Sequence, residues 1–279
     1  MEKHKTYYYY DERNDDFANN GIDGKPTPEN FEYLPKNIFY RIAKPIVYYF
    51  FLVFIFFLAT AVTDGYHVHN AKVLRKRKDR KKGYFVFGNH TTWIGDAVIH
   101  PTVAFPKQVY TLVNPDAISI KGAGTLIKMF GAMPTPASRY TYAGYIKATE
   151  KLYNNGNPIV IYPEAHIWPK YNKIRDFADV SFNLPVKLGA PCYAKSTVYY
   201  RQADGHTKSK VFYDGPFYPD PTLSPKAAQK DLRDRIHAKM QERCAESELD
   251  SRYSYIKVDS PDQVRTETTC QESKENQGL

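Results

Sequence analysis

The sequence predicts an α/β fold in which a central mixed sheet flanked by helices is preceded by one apolar N-terminal helix. Three observations carry this. Tyr84-Phe85-Val86-Phe87 and Ile159-Val160-Ile161-Tyr162 are short apolar runs that end directly in polar residues, as buried strands do. Between them, Thr141 to Asn155 has helical character and stops at Gly156, a residue suited to a helix C-cap. Upstream, residues 45–63 run from Ile46 to Val62 without a charge.

That uncharged run would reach about 28 Å as a helix, close to the hydrocarbon thickness of a bilayer. It is apolar on every face, which a core helix of a small domain rarely is. A membrane helix, spanning or re-entrant, is therefore expected over 45–63. More than forty residues, most of them polar, precede it, which does not suit a cleaved leader. The basic stretch from Lys72 to Lys82 follows, denser in cations than Lys36, Arg41 and Lys44 on the other flank. By the positive-inside rule the part after the apolar run faces the cytoplasm, where anionic headgroups attract these side chains. A solvated loop and a nucleic-acid patch are the other readings of such a run.

The remaining organisation follows from composition. With 279 residues, 42% of them hydrophobic, the chain can bury one substantial core. A net charge of +9 points to an anionic partner without choosing among lipid, phosphorylated substrate and nucleic acid. Cys192, Cys244 and Cys270 form no CxxC pair, so neither a disulfide framework nor a zinc site is encoded. His67, His69 and His100 have no ligand spacing with carboxylates, and no metal is expected. Further strands are expected at 193–200 and 210–213. Ser224-Pro225 opens a helix whose stripe is Ala228, Leu232, Ile236 and Met240. The divisions are a polar arm (1–44), the membrane segment (45–63), a folded domain (64–247) and a polar, disordered tail (248–279).

Chemistry concentrates where the first strand ends, at Gly88-Asn89-His90-Thr91-Thr92-Trp93-Ile94-Gly95-Asp96. An imidazole titrates near neutrality and can act as a general base if a carboxylate fixes its tautomer. Asp96 is the nearest carboxylate in sequence. Six helical positions turn by about 600°, so a His90–Asp96 pair requires an irregular turn, which Gly95 would permit.

These residues resemble the glycerolipid acyltransferases, the family that includes the bacterial-type lysophosphatidic acid acyltransferases. Asn89-His90 with Asp96 resembles the family's Asn-His-x4-Asp block, Gly131-Ala132-Met133-Pro134 its second block, and Tyr162-Pro163-Glu164 the start of its Pro-Glu-Gly-Thr-Arg block. Pro191 falls near its fourth, apolar block. The likeness covers residues from about 72 to 215. It departs in three places: five residues separate His90 from Asp96, Ala137 stands where the second block has arginine, and Ala165-His166-Ile167 replaces Gly-Thr-Arg.

The resemblance implies that 64–247 is an acyltransferase domain with His90 as general base and Asp96 orienting it. Asn89, Gly131, Glu164, His166 and Arg139 are then expected to bind substrate, with His166, Lys170 or Arg139 supplying the cation at an acceptor phosphate. The implied reaction moves an acyl group from an acyl-CoA or acyl carrier protein thioester to a glycerolipid hydroxyl such as that of 1-acylglycerol 3-phosphate. That thioester is a co-substrate, and no bound cofactor is implied. No Gly-x-Ser-x-Gly elbow is present, so direct transfer is expected. Membrane phospholipids, a lyso-lipid acceptor and an acyl carrier protein are the implied partners, at the cytoplasmic face of the cell membrane and without nucleic acid. The competing reading is a membrane-anchored scaffold whose acyltransferase-like domain is inactive.

Overall fold

In the computed structural model, residues 5–17, 25–62, 66–120, 122–203, 205–245 and 253–264 are described. The elements in order are β1 (Lys5–Tyr9), α1 (Ile38–Val62), β2 (His67–His69), β3 (Tyr84–Gly88), α2 (Trp93–Ala104), β4 (Tyr110–Val113), α3 (Pro115–Ser119), α4 (Gly124–Met129) and β5 (Ala132–Pro134). They continue with α5 (Arg139–Asn154), β6 (Pro158–Ile161), α6 (Asn183–Leu188), β7 (Cys192–Arg201), β8 (Thr207–Phe217), α7 (Pro225–Ala245) and β9 (Tyr253–Lys257).

Seven strands form one sheet in the order β2-β8-β7-β3-β6-β4-β5. All neighbours are parallel except β7 and β8, which pair antiparallel. The sheet is mixed, as expected. Central strand β3 alternates two buried faces: Phe85 and Phe87 join a core with Phe182, Leu232, Ile236 and Met240, while Tyr84 and Val86 join one with Ile99, Val160 and Tyr213. Period-two geometry explains why β3 is apolar throughout, because helices cover both sides. Helix α7 begins at Pro225 and buries the predicted stripe of Ala228, Leu232, Ile236 and Met240.

Helix α1 departs from the expected membrane segment. It begins at Ile38 rather than residue 45, is 25 residues long and contains Pro45. Among the described residues, no helix is long and apolar enough to cross a membrane. The physical reason in its first half is polarity: Arg41 and Lys44 lie within it, and the Lys44 ammonium donates to the Tyr110 hydroxyl at 2.9 Å. The side chains at 51, 53 and 55–62 lie outside the described residues. Its described apolar side chains are nonetheless exposed, with Ile38, Ile42, Ile46, Phe50 and Phe54 along one i, i+4 ridge.

A second sheet was not foreseen. Strand β1 lies in the expected polar arm, β9 lies in the expected tail, and the two pair in parallel, Tyr7 opposite Tyr255. Parts of both divisions, residues 1–4, 18–24, 248–252 and 265–279, lie outside the described residues.

Candidate active site

The site stands at the C-terminal end of β3, where open α/β sheets place ligands. Asn89 leaves the strand with its side chain locked on β7, donating to the Thr197 carbonyl and accepting from the Thr197 amide, both at 2.8 Å. The next residue, His90, turns its ring outward. Its Nδ1 lies 2.9 Å from Asp96 Oδ2, and its side chain retains 20% exposure against 2% for Asp96.

The turn that the pairing requires is made before the helix, by residues 90–92. Helix α2 starts at Trp93, which puts Asp96 in its first turn. From there Asp96 Oδ2 also accepts the amides of Thr91 at 3.1 Å and Thr92 at 3.2 Å. The fifth intervening residue is thus absorbed in a carboxylate-closed turn, and Asp96 reaches the His90 ring despite the altered spacing. Gly95 has a different role from the one expected: it is helical, and a Cβ there would sit 2.5 Å from the Tyr66 hydroxyl oxygen and 2.6 Å from Thr92 Cγ2.

Two more groups complete the Asp96 environment, and sequence reasoning missed both. Lys195 on β7 is fully buried, with Nζ 2.8 Å from Asp96 Oδ1 and 3.0 Å from the Tyr162 hydroxyl. Tyr162 donates to the Asp96 carbonyl at 2.8 Å and stacks on the His90 ring at 4.6 Å between centroids. Its ring fits because residue 88 is glycine, whose Cβ would meet Tyr162 Cε1 at 2.9 Å. The lone lysine within the apolar run around Pro191 was the available signal. Burial pushes the Asp96 carboxyl up, but the Lys195 ammonium and the His90 hydrogen bond outweigh it, and the group ends below its ordinary 3.8. Burial, followed by the nearby Asp96 charge, holds the Tyr162 hydroxyl well above its usual value, so it stays protonated.

The residues expected to bind substrate behave differently from one another. Glu164 is 4% exposed and grips the chain rather than facing a ligand: it accepts the His90 amide and the Arg175 amide, each at 3.0 Å, and pairs with the Arg175 guanidinium at 3.4 Å. Burial pushes its carboxyl up, against the pull of Arg175. Where both were expected at the substrate, the Glu164 side chain holds the His90 backbone and that of Asn89 ties the strand end to β7. Gly131 sits at the start of β5, at the opposite end of the parallel strands from His90, with φ +99 and Val109 oxygen 2.1 Å from where a Cβ would be. Its role is a tight turn.

Arg139 is exposed at the start of α5, its guanidinium on the Tyr140 hydroxyl at 2.9 Å. It follows β5, three strand spacings or about 14 Å across the sheet from β3. His166 is nearer, in the loop after Glu164, with Nδ1 3.5 Å from Asp16 and a side chain 28% exposed. Lys170 donates to the Tyr253 hydroxyl at 2.9 Å. Of the three candidate cations, only His166 and Lys170 belong to the loop that meets the His90 segment, through Trp168 amide to His90 carbonyl and Lys170 amide to Thr91 carbonyl, both 3.0 Å.

That loop is held from above by the paired termini. Trp168 is fully buried, donates Nε1 to the Asp15 carbonyl at 2.8 Å and stacks on Tyr255 at 5.0 Å and 4°. The Arg175 guanidinium lies 4.8 Å from the Trp168 ring and also donates to the Glu12 carbonyl. The basic run from Lys72 to Lys82 leads instead into the N-terminal end of β3, about 17 Å of strand from His90. Among the described residues, no group of three or more His, Cys, Asp or Glu is placed to hold a metal ion.

Residues 65–197 match the family described as Acyltransferase. No curated protein matches the chain. The fold is similar to the crystal structure of the 1-acyl-sn-glycerophosphate (LPA) acyltransferase PlsC from Thermotoga maritima, with a TM-score of 0.53 and 20% identity over 77% of this chain and 86% of that one.

Proposed function

We propose that this chain, whose residues 65–197 match the family described as Acyltransferase, transfers a fatty acyl group from an acyl thioester directly to a glycerolipid hydroxyl, with His90 as general base. One observation carries the reading: His90 Nδ1 is engaged by a buried carboxylate at 2.9 Å while the ring keeps partial exposure. In this mechanism His90 Nε2 takes the acceptor hydroxyl proton as that oxygen attacks the thioester carbonyl. The tetrahedral intermediate then collapses, the carbon–sulfur bond breaks, and the imidazolium returns its proton to the departing thiolate. Asp96 stabilises the imidazolium between the two steps. Coenzyme A or acyl carrier protein brings the acyl group, and the chemistry asks for no bound cofactor.

The acceptor of this reading is a lyso-lipid such as 1-acylglycerol 3-phosphate, with His166 and Lys170 as the cations beside its headgroup. Helix α1 supports a membrane location. Its exposed ridge of Ile38, Ile42, Ile46, Phe50 and Phe54, with Phe105 beside it, is the kind of apolar surface that lipid covers. The first half of α1 is anchored near the N-terminal ends of the strands, where Tyr48 accepts the Val109 amide, and the helix leads toward Tyr66 beside Gly95. On this reading its last turns bring the reacting edge to the cytoplasmic leaflet. The test is purified protein in anionic phospholipid vesicles with labelled acyl-CoA or acyl carrier protein and a panel of lyso-lipids. Acylation of a glycerolipid acceptor is expected; acylation of none of them contradicts the assignment.

A further inference from the structure

Lys195 is the most unusual charge in the molecule. It projects from a central strand into a fully buried position beside Gly88, its register partner on β3. An ammonium there carries a large desolvation cost unless every neighbour compensates. Its neighbours are Asp96 Oδ1 at 2.8 Å and the Tyr162 hydroxyl at 3.0 Å, with the Tyr162 ring centroid 5.0 Å away. The two oxygens of Asp96 are thereby divided: Oδ2 serves His90 and the amides of Thr91 and Thr92, and Oδ1 serves Lys195.

Taking the acyltransferase reading above as its premise, we propose that Lys195 is a positioning residue of the reaction, keeping Asp96 ionised and turned so that Oδ2 faces His90. A carboxylate this deep, with an extra residue between it and its histidine, is shielded from solvent, so its charge must be balanced by protein groups. Lys195 does so at Oδ1. The other titratable groups around Asp96 do not substitute for it. Tyr66, Tyr199 on β7 and Tyr213 on β8 are raised by burial first and stay neutral phenols. His100 on α2, pushed down to about 3 by burial, is uncharged, and His90 is the group to be oriented. Lys195 is thus the group that faces Asp96 Oδ1 with an ammonium.

The experiment compares wild type with Lys195→Gln, which keeps a hydrogen-bond donor but removes the charge, and Lys195→Met, which removes both. In vesicles both variants are expected to lose at least tenfold in kcat at pH 7 with KM for the acyl thioester within twofold. The acid limb of their pH–rate profile moves to higher pH, because an unassisted buried Asp96 takes up a proton sooner. A loss confined to KM, or an unmoved acid limb, overturns the proposal. Infrared spectroscopy reads the same event without turnover: a protonated-carboxyl band, assigned by its disappearance in Asp96→Asn, should appear in folded Lys195→Gln at a pH where wild type has none. Its absence there refutes the role of Lys195 even if acylation is never detected, whereas its presence upholds that role whatever the acceptor. Should neither variant fold, wild type decides: an Asp96 band that grows in at or above the ordinary 3.8 contradicts the proposal, and one that appears only below it supports it.

Discussion

At the residue scale, catalysis in this account depends on one hydrogen bond, between His90 Nδ1 and Asp96 Oδ2. Asp96→Asn presents an amide where His90 needs an acceptor, favouring the wrong tautomer. A fall in kcat of roughly a hundredfold to ten-thousandfold is expected, with KM little changed; equal kcat in wild type and variant contradicts the pairing. A second residue bears on stability. Ala165 holds φ +65 in the position where the family's third block has glycine, and a Cβ is disfavoured in that conformation. Ala165→Gly should therefore stabilise the protein by up to about 1 kcal/mol after the entropy of the more flexible unfolded chain is subtracted. Urea unfolding measures this, and a lowered midpoint contradicts it.

Legibility at this scale was uneven. His90 and Asp96 were visible as residue types near a strand end, and the structure unites them. Glu164 and Asn89 were visible too, but sequence does not distinguish a side chain that holds a ligand from one that holds the backbone of its neighbour. Lys195 was missed as a site residue because it comes from β7, 99 positions from Asp96 in the chain.

At the scale of elements, strands and helices whose apolar periodicity is strong were readable: β3, β6, β7, α5 and α7 all fall near their expected positions. Several other short strands were not. Strands β2, β4 and β5 are defined by their pairing rather than by local pattern, and β1 and β9 by pairing with each other across almost the whole chain. The β1–β9 clasp has a measurable consequence. Tyr255 stacks on both Tyr7 and Trp168 and donates its hydroxyl to the Pro169 carbonyl at 2.6 Å. Tyr255→Ala should loosen the clasp and speed amide hydrogen exchange across residues 164–175, while β3 and β7 exchange as before. Unchanged protection in that loop would show that the clasp does not restrain it.

At the scale of the whole molecule, buried titratable groups set the acid stability. His100 is fully buried between Tyr84 and Tyr213, with Nδ1 3.0 Å from the Tyr213 hydroxyl, and burial pushes it from 6.5 to about 3. The unfolded chain takes up a proton at this histidine below pH 6.5 and the native one does not until about 3. The contribution is therefore present above 6.5 and is lost as pH falls toward 3. Asp96, held low, adds a loss with the same sign below its ordinary 3.8. Glu164, pushed up by burial, contributes with the opposite sign, but the His100 contribution should make unfolding free energy fall from pH 7 toward 4, and His100→Gln should lessen that slope. A slope identical in the variant contradicts His100 as its source.

The whole-molecule arrangement also sets the apolar helix beside the site: β3 delivers His90, α2 returns Asp96 to it, and α1 lies along α2 with its apolar ridge outward. Transfer of labelled acyl group from acyl-CoA or acyl carrier protein to lyso-lipid in vesicles, wild type against folded His90→Ala, tests the central claim most directly. The account predicts a loss of about a hundredfold or more in the variant. Turnover equal to wild type would remove His90 from the reaction and contradict it.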